Sequence, residues 1–400
     1  MRILVVAPFP PSSEGEHGGS RSIAQRLTRI AKRHEVFLLH FRRVTDAPLG
    51  ELSAGLDSEA VELRAWHSRP RLFRALRAAF GLLGGTPLWA TELASHELAR
   101  RLGATVERFR PDVVQFEYAP MAQYAKALPG RAVPRVLVDH DADREASVIQ
   151  DPRRSLLRRA DRAAWRRFER RVLSEVDATV VFTERDRAVL ASRVERPRVS
   201  VIPIGIDAVD DELVTAASAP EILFVGNFVH PPNLDAATRL ARAILPLVRG
   251  RVPEATLTIV GPGSPAELST EPGVTVTGYV ESVRPFYERA AAVAVPIAFG
   301  GGMRVKVMEA LAVGVPVVAS SLALEGLDVR DGEHVLVAGS DAAFADAVVR
   351  LFQDPALGSA LRARGAAWAR ANLGWDNVVA SYDALYDELV RARPATRPHP

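Results

Sequence analysis

Four hundred residues exceed what one hydrophobic core usually organises, so two domains are expected. With 48% hydrophobic and 25% charged residues the composition is that of a globular chain, and a formal net charge of only +3 gives weak grounds for a nucleic-acid partner. The absence of cysteine excludes disulfides, thiol nucleophiles and cysteine metal sites, and no run approaches the roughly 20 apolar residues of a membrane span, so a cytoplasmic protein is expected.

The chain opens on Ile3–Ala7, an apolar run of the kind parallel sheets bury, broken at Pro8, Pro10 and Pro11 too early for a signal peptide. A Pro/Ser/Gly loop then passes Gly18-Gly19 into a helix expected over about 20–32, with Ser20 as N-cap. This loop is not the G-x-G-x-x-G fingerprint, which argues against a nicotinamide enzyme. Apolar runs recur at Val36–Leu39, Val113–Phe116, Arg135–Val138, Ala178–Phe182 and Val199–Ile202 between helical or polar stretches. That alternation predicts a doubly wound parallel sheet.

After Val138 comes Asp139-His140-Asp141-Ala142-Asp143, at the carboxyl end of a strand, where open α/β sheets bind ligands. Three carboxylates and a histidine have the composition of a hard-cation site, yet no metal is required if positive charge for an anionic ligand comes from elsewhere. From Arg153 to Arg171 arginines recur at 154, 158, 162, 166 and 170, opposite a stripe of Leu157, Ala160, Ala164, Phe168 and Val172. Two readings stand: the solvated face of a domain helix, or peripheral contact with an anionic membrane at its inner face.

The second half begins with Ile222–Val225 and then Gly226-Asn227-Phe228-Val229-His230-Pro231-Pro232-Asn233, a strand, a glycine turn and a helix start with Asn233 as cap. Leu257–Val260, Val274–Thr277 and Ala292–Val295 continue the sheet, with Gly278-Tyr279-Val280 after the second of them, and helical spacing returns over Trp375–Arg391.

The most informative stretch, Ala298 to Ser320, reads AFGGGMRVKVMEALAVGVPVVAS. Glycines 300–302 follow an apolar run, a helix is expected over Met303–Val313 with Gly314 at its end, and a β-branched strand follows Pro316. In such an arrangement the free N–H groups of a helix N-terminus hold an anion. The chain has only three lysines (Lys32, Lys126 and Lys306), leaving 48 of its 51 basic residues as arginine. Lys306 beside Arg304 at the open end of this helix suits a diphosphate. Glu309, one turn on, suits hydroxyls such as those of ribose. Alternatively Lys306 and Glu309 form an i,i+3 surface pair worth about 0.2–0.5 kcal/mol.

These residues resemble the carboxyl-side signature of the GT-B nucleotide-sugar glycosyltransferases of family 4 (glycosyl transferases group 1), E-x7-E followed by A-x-A-x-G-x-P-V-V-A-S. Glu309 stands at the second glutamate and Gly301 at the first, in the G-G-G-x-R-x-K-x-x-E form of one subgroup. VSVIPIGID over Val199–Asp207 is similar to the family's V-x-V-I-P-N-G-V-D, with Ile204 in place of asparagine. Where relatives often have G-R-x-x-x-x-K-G, Gly226-Asn227 with Pro231-Pro232-Asn233 offers no basic pair, which leaves phosphate to Arg304 and Lys306.

The resemblance implies two doubly wound Rossmann-like α/β domains facing a cleft. It places an acceptor-side domain over 1–203, a nucleotide-sugar domain over 204–375, and a terminal helix over 376–393 that crosses back to the first domain. It implies retaining transfer from a nucleotide-diphosphate sugar to a hydroxyl acceptor (a glycan, a lipid-linked intermediate or a small molecule) without metal or other cofactor. Carried onto this chain, it makes His140, Arg304 and Lys306 catalytic, and Gly18, Gly19, Gly226, Asn227, Val280, Gly301, Gly302, Met303 and Glu309 donor-binding. Two alternatives stay open: a nucleotide-sugar epimerase of similar architecture, and a non-catalytic family member acting as a partner protein, the latter motivated by the missing first glutamate.

Overall fold

The computed structural model describes residues 1–12, 18–44, 46, 49–50, 52–63, 70–128, 130–131, 133–142, 155–193, 198–206, 219–300 and 305–393. They form two compact units, one of the described residues up to Ile204 together with those from Val378 on, the other from Gly205 to Asn377.

Among the described residues of the first unit, seven parallel strands build the sheet. They are β1 (Arg2–Ala7), β2 (Glu35–Arg42), β3 (Asp57–Glu62), β4 (Val113–Glu117), β5 (Arg135–Val138), β6 (Ala178–Val181) and β7 (Arg198–Val201). Their order is β3-β2-β1-β4-β5-β6-β7. Strand β1 lies inside the sheet next to the central β4, with Ile3 in register with Val36 on one side and Val113 on the other. Ile3 to Ala7 are fully buried, because helices cover both faces of a parallel sheet. The edge strand β3, DSEAVE, has no apolar run and buries only Val61, which is why alternating hydrophobicity did not predict it.

The second unit carries β8 (Glu221–Val225), β9 (Thr256–Val260), β10 (Val274–Val276), β11 (Ala292–Val295), β12 (Val317–Ala319) and β13 (Leu336–Val337). Their order is β10-β9-β8-β11-β12-β13, again parallel throughout. Strand β13 is two residues long, too short to leave a pattern in the sequence.

The helices used below are α1 (Gly18–Ile30), α2 (Arg71–Leu83), α3 (His96–Phe109), α4 (Ser155–Leu173), α5 (Pro231–Arg239), α6 (Val305–Val313) and α7 (Trp375–Arg391). Helix α6 stops at Gly314, whose φ of 77° is left-handed. Two expected caps are corrected. Helix α1 already begins at Gly18, so Ser20 lies inside it, and its hydroxyl accepts from the Ser12 N–H at 3.0 Å, pinning the loop after β1. The cap residue of α5 is His230, and Asn233 lies within the helix with its side chain committed elsewhere. The apolar stripe expected along 157–172 is also divided: Ala164, Phe168 and Val172 are core, whereas Leu157 is 50% exposed and Ala160 is exposed.

Candidate functional site

The order of the second sheet reverses between β8 and β11, and loops leaving such neighbours flank the place where open parallel sheets take ligands. From β8 the chain turns through Gly226-Asn227 into α5; from β11 it runs to Gly300 ahead of α6. The backbones here are close enough to demand glycine. A Cβ on Gly300, with φ 97°, would meet Pro232 Cγ at 2.8 Å, and one on Gly261, with φ 134°, would meet the Gly226 carbonyl oxygen at 1.9 Å. Gly261 escaped the sequence reading, although Gly-Pro-Gly directly after a strand was a signal for it.

Lys306 sits half-buried in the first turn of α6. Its ammonium donates to Asn233 Oδ1 at 2.6 Å and stands 4.8 Å from the Phe224 ring centroid. Asn233 in turn donates to the Asn227 carbonyl at 2.7 Å, and the Asn227 side chain accepts from the Val229 N–H at 3.1 Å. Neutral amides therefore orient the cation. Glu309 accepts from the Tyr287 hydroxyl at 3.0 Å. Burial, reinforced by the neighbouring Glu309 charge, pushes that phenol well above its ordinary range and keeps it a donor. Val280 lies half-buried in the loop after β10. Gly301, Gly302, Met303 and Arg304 lie outside the described residues.

The order of the first sheet reverses between β1 and β4. Gly18 and Gly19 open α1 beyond β1, and Glu117 ends β4. His140 follows β5, and its Nε2 lies 2.8 Å from Glu117 Oε2. Glu117 is fully buried, and its other oxygen accepts from Arg26 and from Gln115, each at 2.6 Å. Arg26 donates to the Tyr382 hydroxyl at 3.0 Å, and the Tyr386 hydroxyl donates to Gln115, so α7 completes the network. The Tyr118 ring stacks on His140 at 4.2 Å and 17°, and Phe182 meets it edge-on at 5.0 Å. To place that ring Tyr118 adopts φ 68°, ψ 142°, a conformation that costs on the order of 1–3 kcal/mol outside glycine.

Burial alone would raise the Glu117 carboxyl, but Arg26 and His140 overcome it and hold the group at about 2. Burial lowers His140, and the Glu117 charge opposes this only in part. The drop at Glu117 draws partly on a charged His140, whereas His140 itself is shifted toward the neutral form. Arg26, always protonated, is sufficient to ionise Glu117, so the pair at neutral pH is a carboxylate and a neutral imidazole. An ionised carboxylate only accepts, so Nε2 carries the proton and Nδ1 the lone pair. Glu117 and Arg26 were not singled out from sequence, though a glutamine and a glutamate at alternate positions of an otherwise apolar buried strand were a readable signal.

Of the carboxylates around His140, Asp139 is buried and accepts from the Asp141 N–H at 3.3 Å, a local turn, and Asp143 lies outside the described residues. Among the described residues no group of three His, Cys, Asp or Glu side chains gathers as a metal site. A separate cavity of about 730 Å³ lies within the first unit, lined among others by Phe73, Arg77, His96, Gln123, Tyr124 and Lys126.

Two doubly wound parallel-sheet domains of this kind define the GT-B class of glycosyltransferases, and solved structures of that class match the chain. Sucrose-phosphate synthase from Thermosynechococcus elongatus aligns with a TM-score of 0.73 at 17% identity, covering 98% of this chain and 100% of that one. The family model described as Glycosyltransferase Family 4 matches residues 17–209, and that of Glycosyl transferases group 1 matches residues 219–354. The chain belongs to this family, the group 1 glycosyltransferases of family 4. It is 32% identical over 186 residues to a phosphatidyl-myo-inositol mannosyltransferase of Mycobacterium leprae, 42% of this chain and 46% of that protein. It is 31% identical over 263 residues to a D-inositol 3-phosphate glycosyltransferase of Acidothermus cellulolyticus, 56% of this chain and 58% of that protein. The chain thus spans about half the length of the curated relatives it matches.

Proposed function

We propose that this protein transfers a sugar from a nucleoside-diphosphate sugar to a hydroxyl acceptor with retention at the anomeric carbon. The observation that carries the reading is Lys306, an ammonium held by Asn233 beside the glycine-lined turns at the β8/β11 switch point. In the reaction the bond from the anomeric carbon to the diphosphate oxygen breaks, the acceptor oxygen takes its place on that carbon, charge grows on the departing diphosphate, and the proton of the acceptor hydroxyl passes to it. A fixed cation stabilises that charge more than it stabilises the ground state. Arg304 and the amides of Gly301 and Gly302 are the further donors we assign to it, with Met303 as a further donor-binding residue. Gly18, Gly19, Gly226 and Asn227 contribute backbone on the phosphate side and Val280 on the base side. Glu309, steadied by Tyr287, accepts from ribose hydroxyls. His140, with its Nδ1 lone pair, accepts from a hydroxyl of the transferred sugar, and no metal enters the scheme.

Both curated relatives are named for inositol-bearing acceptors, which favours a polyol hydroxyl as the acceptor class. For an acceptor carried on a lipid, the arginine row of α4 is the face we set against anionic headgroups.

The test has two stages. UDP, GDP, ADP and dTDP are screened by thermal shift, where a ligand at 100 times its dissociation constant adds about 2.7 kcal/mol. With the sugar of the responding nucleotide, Lys306→Ala lowers turnover at least about tenfold, since a charged hydrogen bond to phosphate contributes roughly 1.5–3 kcal/mol. Unchanged turnover removes Lys306 from the reaction.

A further inference from the structure

Helix α2 is built inside out. Leu72, Leu76, Phe80 and Leu83 recur at i, i+4, i+8 and i+11, which sets them on one stripe of the helix. They are 72%, 50%, 71% and 79% exposed, and none of the 13 residues of the helix is buried. The body of the unit meets the other side, where half-buried Arg77 donates to the Ala94 carbonyl at 2.6 Å and, with Phe73, lines the 730 Å³ cavity. A helix this short is marginal alone in water and normally draws its stability from burying its apolar stripe. Here the apolar stripe faces outward, and an exposed patch of that kind marks an interaction surface.

The surrounding charge selects what covers it. Helix α2 carries three arginines and no acidic residue. Helix α4 adjoins its carboxyl end, where Arg171 donates to the Thr86 hydroxyl at 3.0 Å, and brings seven arginines against two acids. Both acids turn inward. Asp161 accepts from the Leu88 N–H at 2.8 Å, and Glu169 is buried against Arg193 at 2.8 Å. An apolar stripe neighboured by arginine, with both acids of α4 withdrawn, complements a bilayer carrying anionic lipid. Among the described residues no helix is long and apolar enough to cross a membrane, so the contact is interfacial.

We propose that the Leu72-Leu76-Phe80-Leu83 stripe of α2, flanked by the arginines of α4, docks the protein on the surface of an anionic bilayer. Its purpose rests on the lipid-borne acceptor proposed above, whereas binding itself requires neither donor nor acceptor.

The 400-residue chain is floated with phosphatidylcholine vesicles and with vesicles of phosphatidylcholine mixed with phosphatidylglycerol. The expected result is binding to the anionic vesicles alone, released by salt as exposed charges are screened. The double variant Leu72→Gln, Phe80→Gln binds about tenfold more weakly or less, with circular dichroism and melting temperature little changed because both side chains are already largely in water. Binding to both vesicle types alike, binding to neither, undiminished binding of the double variant, or a dimer that the double variant dissolves would each overturn the proposal. Thermal shift with nucleotide on the same sample separates the two readings: an intact nucleotide response with failed flotation removes only the docking surface.

Discussion

At the switch point of the first sheet a carboxylate and a guanidinium are buried against each other, whereas at that of the second a half-buried ammonium is oriented by an asparagine amide. Glu117 has both oxygens engaged, by Arg26 and Gln115 on one side and His140 on the other. Lys306 rests on Asn233, and Glu309 on a tyrosine hydroxyl. The first arrangement fixes a geometry through charges that cannot be removed one at a time. The second keeps charged side chains oriented at small energetic cost and within reach of solvent. The network of the first unit is thus the more interlocked, and the second unit leaves a cation within reach of solvent.

The sharpest way to break this contrast is to remove one partner of the buried network. Glu117→Leu leaves Arg26, 2% exposed, without its counter-charge, and a stranded buried charge of this kind costs roughly 3–5 kcal/mol. The melting temperature of the first unit should fall on the order of 10 °C. Lys306→Ala takes a half-buried ammonium away from the neutral Asn233, so it should move the melting temperature less than Glu117→Leu does while it lowers turnover. Equal thermal losses in the two variants would dissolve the distinction.

Titration gives a smaller and more graded effect. Because the folded Glu117 sits at about 2 against its ordinary 4.5, its stabilisation is complete above 4.5 and is lost as pH falls from there toward 2. His140, held below its ordinary 6.5, adds a loss that begins as pH falls through 6.5, because the unfolded imidazole takes up its proton first. Melting temperatures of the parent and of Glu117→Gln across this range should therefore converge at low pH. Parallel curves would mean that Glu117 is not the titrating group.

Most of the architecture was legible because parallel strands buried on both faces are continuous apolar runs. The runs at Arg135–Val138 and Ala292–Val295 fall on β5 and β11 residue for residue. What failed was what that signal cannot carry: a polar edge strand, β3, and the two-residue β13. The site divides the same way. Lys306 and Glu309 were readable because charges stand out against the apolar run VKVMEALAV. Their holders were not, since Asn233 lies 73 residues from Lys306 and Tyr287 lies 22 from Glu309, and each reads locally as a helix residue. The left-handed backbone of Tyr118 has no sequence signal at all, because it sets the ring among His140, Phe9 and Trp89, all distant in sequence.

The finest probe of the contrast is Tyr287→Phe, which deletes one hydroxyl and keeps the ring. If the second site tolerates change because its charges are held by neutral groups, the fold should hardly notice. Glu309 is half-buried and can exchange the lost bond for water. If Glu309 takes the ribose-binding role proposed for it, the loss of one orienting hydrogen bond of about 0.5–1.5 kcal/mol corresponds to roughly two- to tenfold weaker nucleotide binding. Isothermal titration with the responding nucleotide measures this directly. A variant that melts many degrees lower with unaltered affinity would show that Tyr287 serves the core and not the carboxylate, and that the second switch point is as interlocked as the first.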